Sequence, residues 1–258
     1  MKLRNIFATA TLCASILAGA QTAPQTFAVN GEAKLTVYPT PTPNGTVLMM
    51  CPGGGYSHLA TKHEGHNMAP WMNDMGITYA VLEYRMPQNP LDTLPILDSH
   101  AALRILADNA TAWGANPDRI GIMGASAGGH LASYTANTDS LVKFQALLYP
   151  VISMTPGITH PGTRKNLIGA DADAATEAKY NSANRVHPGS PKAFIVLSAD
   201  DKAVIPANTM SYAQALIDAK VPVEMHMYPT GGHGWGYRDT FTYHQNWKDA
   251  LAAWLEKL

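Results

Sequence analysis

Apolar residues along the chain fall into short runs that are separated by longer amphipathic segments. The runs with an alternating or continuously apolar pattern, which is typical of strands, are 33–38, 46–50, 77–84, 119–123, 144–152, 193–198 and 221–228. Segments with helical spacing are 64–75, 96–113, a stretch that opens at 127, 208–219 and 241–258. Strands that alternate with helices predict the α/β class, with a mostly parallel, doubly wound sheet.

One segment interrupts this alternation. Residues 153–191 are rich in Pro, Gly, Asn and His, and they have a helical pattern only around 176–180. Loops of this length inside a compact domain are usually functional lids or rims. We therefore expect residues 153–191 to form a short insertion near a functional site.

The first 20 residues (1–20) have the pattern of a secretory signal peptide. Lys2 and Arg4 give a basic start, an apolar core covers 6–17, and Ala18-Gly19-Ala20 supplies small residues for cleavage. We expect an exported protein, periplasmic or extracellular, without a membrane anchor. We also expect residues 21–258 to form a single catalytic domain.

Composition limits the classes of partner. Hydrophobic residues make up 46% of the chain and charged residues 14%, and the formal net charge is −1. The chain is apolar enough to fill a sizeable core, and the near-neutral charge argues against a nucleic-acid partner or an anionic membrane surface. Removal of the leader leaves Cys51 as the only cysteine. We therefore expect stability without an internal disulfide.

The strongest candidate for chemistry is Gly124-Ala125-Ser126-Ala127-Gly128, a match to G-x-S-x-G. It lies between a predicted strand and a predicted helix, which is the context of a nucleophile elbow. A tight structural turn is the alternative. The context favours Ser126 as a nucleophile, held at the apex of a strained turn.

A serine hydroxyl needs a base, and the base works best when a carboxylate orients it. His233 lies in a Gly-rich loop after one predicted strand, and Asp200 and Asp201 end the preceding strand. The carboxyl ends of parallel strands meet at one edge of a sheet, so these residues can converge on Ser126. Asp201 is favoured as the acid because it stands three residues before Val204 and precedes a Pro-containing turn, a pattern common around the hydrolase acid, whereas Asp200 could instead cap that turn or the following helix. The order Ser, acid, His is that of α/β-hydrolases.

Acyl transfer also needs donors for an oxyanion. Pro52-Gly53-Gly54-Gly55 follows an early strand, where the HGGG loop of lipases supplies backbone N–H groups, although proline here replaces the histidine. Gly54, Gly55 and Ala127 are the candidates for the oxyanion hole. A glycine turn without a ligand is the alternative.

Other polar and aromatic residues are weaker candidates. His63-Glu64-Gly65-His66 lacks the spacing of a metal site and is interpreted as a solvated helix start, so no metal or organic cofactor is expected. His130 is expected to pack or cap on the elbow helix. Tyr56 and Trp235 lie beside the catalytic loops and could bind substrate by stacking, as could Tyr237, although core packing is an equal alternative.

Four blocks together resemble a known family. They are Cys51 to Tyr56 with His63-Glu64-Gly65, Leu82 to Pro87, Gly124 to Leu131, and Gly231 to Gly236. They are similar to the secreted α/β-hydrolases of polysaccharide-degrading bacteria, which include acetylxylan esterases and esterase/lipase-like proteins. The resemblance covers nearly all of the mature chain and implies an α/β-hydrolase fold.

The resemblance also implies removal of acetyl, or sometimes hydroxycinnamoyl, groups from plant polysaccharides. We therefore expect a serine esterase that acts on acetylated xylan or its oligosaccharides through Ser126, His233 and Asp201. Three alternatives stay open. They are a feruloyl or other small-ester hydrolase, an exopeptidase on the same fold, and a catalytically silent carbohydrate-binding relative.

Overall fold

A computed structural model describes residues 22–258, so the predicted leader lies outside the described residues. One eight-stranded sheet runs through the described part of the chain. Its strands are β1 (Gln25–Val29), β2 (Ala33–Tyr38), β3 (Val47–Cys51), β4 (Thr78–Glu83), β5 (Ile120–Ala125), β6 (Phe144–Leu148), β7 (Lys192–Ser198) and β8 (Val223–Tyr228). They lie in the order β1-β2-β4-β3-β5-β6-β7-β8.

The sheet is parallel from β4 to β8, and β1 and β2 join it as an antiparallel hairpin. β3 and β5 are fully buried, as the continuous apolar runs in their sequences predict. The predicted mostly parallel sheet is confirmed. β1 was not predicted, because it is an edge strand in which only Val29 is buried.

Helices cover both faces of the sheet. They are α1 (Ala69–Asp74), α2 (Leu94–Asn109), α3 (Ser126–Ala136), α4 (Pro161–Ile168), α5 (Ala174–Tyr180), α6 (Pro206–Asp218) and α7 (His244–Leu255). One apolar cluster includes Leu103 of α2 and Leu131 of α3, and the other includes Met72 of α1 and Trp247 of α7. Within residues 22–258, none of the helices is both long and apolar enough to cross a bilayer.

Two predicted helices differ from the structure. The helix expected at 64–75 begins only at Ala69, after a 3₁₀ turn at His66–Met68, because Gly65 has backbone angles outside the helical region. The helix expected at 96–113 is α2, which ends at Asn109 and continues as a 3₁₀ turn over Ala110–Trp113.

The insertion between β6 and β7 is more ordered than its sequence indicates. It contains α4 as well as α5, and only α5 was predicted. Arg164 of α4 is buried and donates to the backbone oxygens of Met154, Gly169 and Ala172. These tertiary hydrogen bonds stabilise α4, which explains why local sequence pattern did not reveal it.

Candidate active site

The G-x-S-x-G segment forms the expected strand–turn–helix. β5 ends at Ala125 and α3 begins at Ser126, whose φ of 54° lies in the left-handed region. The two glycines leave space for close backbone contacts. A Cβ on Gly124 would lie 2.2 Å from the oxygen of Gly128, and one on Gly128 would lie 2.1 Å from the oxygen of Cys51. The elbow therefore cannot hold larger residues at these positions without moving the backbone.

Ser126, His233 and Asp201 form a hydrogen-bonded chain. The Ser126 Oγ lies 2.8 Å from Nε2 of His233, and Nδ1 of His233 lies 2.7 Å from Oδ2 of Asp201. An ionised carboxylate only accepts, so Nδ1–H donates to Asp201 and leaves the Nε2 lone pair for the Ser126 hydroxyl. This arrangement can remove a proton from Ser126 and store it on a carboxylate-paired imidazole.

The two neighbouring acids have different partners. Asp201 is buried, and its Oδ1 accepts from the backbone N–H groups of Ala203 and Val204, both at 2.9 Å. Asp200 instead accepts from the N–H of Gly232 at 2.8 Å, beside His233. Asp201 therefore faces the imidazole, whereas Asp200 holds the backbone of the histidine loop.

The predicted oxyanion donors lie around Ser126. Gly54 and Gly55 line the same cavity as Ser126, and both have positive φ, 134° and 64°. Ala127 is the second residue of α3, where a backbone N–H has no acceptor within the helix. Among the described residues, no side chain caps this helix start. Its N–H groups are therefore available to a negatively charged oxygen.

Glu64 is buried, which shows that its interpretation as part of a solvated helix start was wrong. Its Oε2 accepts from the N–H of Gly53 at 2.9 Å, and its Oε1 accepts from the Tyr149 hydroxyl at 2.8 Å. The Tyr149 hydroxyl in turn accepts from the N–H of Gly236 at 2.8 Å. Glu64 thus joins the glycine loop to the loop that carries His233.

Tyr149 also packs against the catalytic imidazole. Its ring lies edge-on to that of His233, with 4.7 Å between the centroids. Burial, with the nearby charge of Glu64 as the next cause, raises the pKa of Tyr149 well above its ordinary value. Tyr149 therefore stays a neutral hydrogen-bond donor beside His233. Sequence reasoning missed both Tyr149 and Glu64.

A cavity of about 440 Å³ opens above Ser126 and His233. Besides glycines, it is lined mainly by polar side chains. Besides Ser126 and His233, they are Ser57, His58, His63, Glu64, His160, Asn166 and Arg238. His160 and Asn166 belong to the insertion at residues 153–191, so the expectation that this segment lies near the site is confirmed.

Two of the three aromatic candidates for substrate binding lie in the interior. Tyr56 is buried and its hydroxyl lies 2.9 Å from Nδ1 of His130, while Trp235 donates to the Ser198 hydroxyl at 3.1 Å and stacks on Phe241. Their polar atoms are bonded to protein, which favours the core-packing alternative for both residues. His130 is buried and packs as expected.

The His63–His66 segment does not form a cluster of ligands. His66 faces the Tyr38 hydroxyl at 2.8 Å, while His63 lies 3.9 Å from Oε1 of Glu64. Across residues 22–258, no group of three or more His, Cys, Asp or Glu side chains is arranged to hold a metal ion.

Comparison with known proteins assigns the family. A family model described as the prolyl oligopeptidase family matches residues 91–258, a range that contains Ser126, Asp201 and His233. The chain belongs to this family. The prolyl oligopeptidase family consists of α/β-hydrolases, and its members are serine hydrolases. The α/β-hydrolase fold and the resemblance predicted from the motifs are therefore confirmed.

The curated relatives of this prolyl oligopeptidase family member include proteins named as esterases and one named as a xylanase. An acetylxylan esterase of Xylanibacter ruminicola is 34% identical over 266 residues, which cover 99% of this chain and 55% of the relative. Endo-1,4-beta-xylanase B of Butyrivibrio fibrisolvens is 27% identical over 208 residues, 72% of this chain and 32% of the relative. The chain thus spans about half or less of the length of these two curated relatives.

Solved structures with high similarity are also hydrolases. An acetyl ester-xyloside bifunctional hydrolase from Caldicellulosiruptor lactoaceticus superposes with a TM-score of 0.79 and 31% identity, covering 86% of this chain and 88% of that one. A sugar hydrolase from Lactococcus lactis superposes with a TM-score of 0.78 and 26% identity, covering 91% and 98% of the two chains. This prolyl oligopeptidase family member therefore shares its fold with hydrolases over most of both lengths.

Proposed function

We propose that this protein is a serine esterase that removes acetyl groups from acetylated xylan or its oligosaccharides. The observation that carries the proposal is the hydrogen-bonded chain of Ser126, His233 and Asp201 at the floor of a polar cavity of about 440 Å³. The names of the relatives, an acetylxylan esterase and an acetyl ester-xyloside hydrolase, support the choice of acyl group and alcohol.

In the first half of the reaction, the Ser126 Oγ attacks the ester carbonyl while Nε2 of His233 takes its proton. Asp201 accepts the Nδ1–H of His233 and stabilises the imidazolium that forms. The negative oxygen of the tetrahedral intermediate is received by the N–H groups of Gly54, Gly55 and Ala127. His233 then gives its proton to the sugar hydroxyl that leaves, and the acetyl group remains on Ser126.

In the second half, water replaces the alcohol. His233 takes a proton from the water as its oxygen attacks the acetyl-serine carbonyl. Collapse of the second intermediate releases acetate and returns the proton to Ser126. Every proton transfer in this sequence passes through Nε2 of His233, and no cofactor is required.

The volume and the polar lining of the cavity support a carbohydrate as the alcohol. Cavities of 300–1,000 Å³ hold ligands of several rings, so about 440 Å³ leaves ample room beside an acetyl group. Imidazole, amide and guanidinium groups line that room, and these groups suit a molecule rich in hydroxyls. A polymeric substrate also agrees with the export that the leader sequence predicts, and we include a location outside the cytoplasm in the proposal.

The first test is acetate release from acetylated xylo-oligosaccharides by the wild type and by Ser126→Ala. We expect fast release by the wild type and a fall in kcat of at least about 10,000-fold in the variant, because the nucleophile is lost. Both proteins are also assayed on 4-nitrophenyl acetate. If the wild type cleaves only the small ester, the acetylated polysaccharide is not its substrate. Equal rates for the two proteins would contradict the proposed mechanism.

Feruloyl esters and peptides are the comparison substrates. The family name makes peptidase activity the second candidate, because the same serine–histidine–aspartate chain can cleave an amide. We expect the ratio kcat/KM to be highest for acetylated sugars when acetylated and feruloylated oligosaccharides and a chromogenic dipeptide amide are compared. A reactive-serine probe distinguishes any of these enzymes from a silent binding protein, which it would not label.

A further inference from the structure

His160 lies at the start of α4 and has a fixed tautomer. Its Nδ1 accepts from the backbone N–H of Thr163 at 3.1 Å, and the Thr163 hydroxyl lies 2.9 Å from the same nitrogen. A backbone N–H can only donate, so Nδ1 must offer its lone pair. The neutral ring therefore carries its hydrogen on Nε2. The hydrogen bond from the Thr163 N–H, which caps the helix, thus fixes Nε2 as the free donor.

The free Nε2–H belongs to the wall of the catalytic cavity. His160 lines that cavity together with Ser126 and His233. Among residues 22–258, its Nε2 makes no hydrogen bond to a protein acceptor. A Cβ built on Gly55 would lie 3.7 Å from Cε1 of His160, so the edge of the ring faces the glycine loop.

The insertion holds this donor in place. Asn166, on the same short helix, donates to the backbone oxygen of Gly55 at 2.8 Å. This bond ties α4 directly to the glycine loop, and the hydrogen bonds of Arg164 tie it to the rest of the insertion. A donor that is already positioned loses little conformational entropy when a ligand binds.

The surroundings also favour a neutral imidazole. Burial lowers the pKa of His160, and the neighbouring His233 lowers it further, although Asp201 opposes them. During the reaction His233 becomes an imidazolium, and a second cation beside it would be repelled. His160 therefore remains a neutral donor while the ester is cleaved.

We propose that His160 determines specificity by donating a hydrogen bond from Nε2 to an oxygen of the sugar that carries the acetyl group. The proposal rests on the function proposed above. The proton transfers are complete without His160, and three backbone N–H groups are already available to the oxyanion. The remaining partner for a fixed donor in this cavity is an oxygen of the alcohol. A hydroxyl or ring oxygen of a pyranose has the required chemistry.

The test is His160→Ser, which removes the imidazole and keeps a good cap for α4, because serine is among the preferred N-cap residues. Initial rates are measured on 4-nitrophenyl acetate and on acetylated xylotriose. We expect kcat/KM to stay within about twofold on the small ester and to fall about 10- to 50-fold on the oligosaccharide. The readout is the ratio of the two values, which a general loss of folded protein does not change.

Asp173→Ser is the matched control. Asp173 caps α5 of the same insertion by accepting from the N–H of Thr176 at 2.8 Å, and it does not line the cavity. We expect this variant to keep the wild-type ratio. Melting temperatures of both variants are measured alongside.

Three results would overturn the proposal for His160. An equal loss on both substrates would place the residue at the reacting carbonyl or in the fold, and wild-type rates on both substrates would show that the residue does not bind the sugar. A wild type that is inactive on acetylated xylotriose would overturn the proposed function as well. That last result is visible in the wild type alone, so the two failures are distinguishable.

Discussion

At the residue scale, adjacent Asp200 and Asp201 provide a matched pair of variants. Asp201→Asn would disturb the bond to Nδ1 of His233 and the tautomer that it fixes, so we expect kcat on 4-nitrophenyl acetate to fall by about 10,000-fold. Asp200→Asn keeps an amide oxygen for the N–H of Gly232, and we expect a loss of less than about fivefold. Similar losses in both variants would contradict the division of roles.

Glu64 gives a second prediction at this scale. Glu64→Ala would leave the N–H of Gly53 and the hydroxyl of Tyr149 without their acceptor, both in a buried site. We expect the free energy of unfolding in urea to fall by roughly 2–4 kcal/mol. We also expect kcat to fall about 10- to 100-fold, because the glycine loop is no longer fixed beside Ser126.

Glu64→Gln is the control for that prediction. Its amide oxygen can still accept one of the two hydrogen bonds, so we expect smaller losses of both stability and kcat. If the alanine variant has the stability and rate of the wild type, Glu64 does not position the glycine loop.

Residues within a motif were the most predictable from the sequence. Ser126, Asp201 and His233 come together because each follows a recognisable strand, and chain order and strand topology suffice to predict this. Glu64 was missed because its partner Tyr149 lies 85 positions away in sequence. For Trp235, core packing and substrate binding stayed equal alternatives because nothing local shows that its indole N–H is satisfied by Ser198.

At the element scale, the fully buried strands are the clearest in the sequence. β3 and β5 are buried throughout, so their apolar runs stand out in the sequence. β1 is largely exposed and has no such run. α4 is held by tertiary hydrogen bonds and a histidine cap, neither of which produces a helical pattern of apolar residues.

At the scale of the whole molecule, buried His130 links stability to pH. Burial lowers the pKa of His130 from 6.5 to about 4. Between these two pH values the unfolded chain binds a proton at His130 that the folded protein does not bind. The contribution of neutral His130 to the free energy of unfolding is complete above about pH 6.5 and is lost as the pH falls towards 4. We expect this single group to remove about 3 kcal/mol from the free energy of unfolding across that range.

The measurement is urea unfolding of the wild type and His130→Gln at several pH values between 7.5 and about 4. The variant loses hydrogen bonds to Tyr56 and to the oxygen of Tyr180, so it is less stable at pH 7.5. Its stability should nevertheless decline less steeply with falling pH. The other histidines are common to both proteins, so the difference between the two slopes isolates His130, and parallel slopes would contradict the prediction.

The position of the insertion at residues 153–191 has a further consequence for protein engineering. It enters and leaves the sheet between β6 and β7, whereas Ser126, Asp201 and His233 follow β5, β7 and β8. The three residues of the hydrogen-bonded chain are therefore encoded outside the insertion, which contributes His160, Gly162 and Asn166 to the wall of the cavity. We expect a chimera that receives this segment from a relative to keep Ser126, Asp201 and His233 in place and to change only the part of the cavity wall that the insertion supplies.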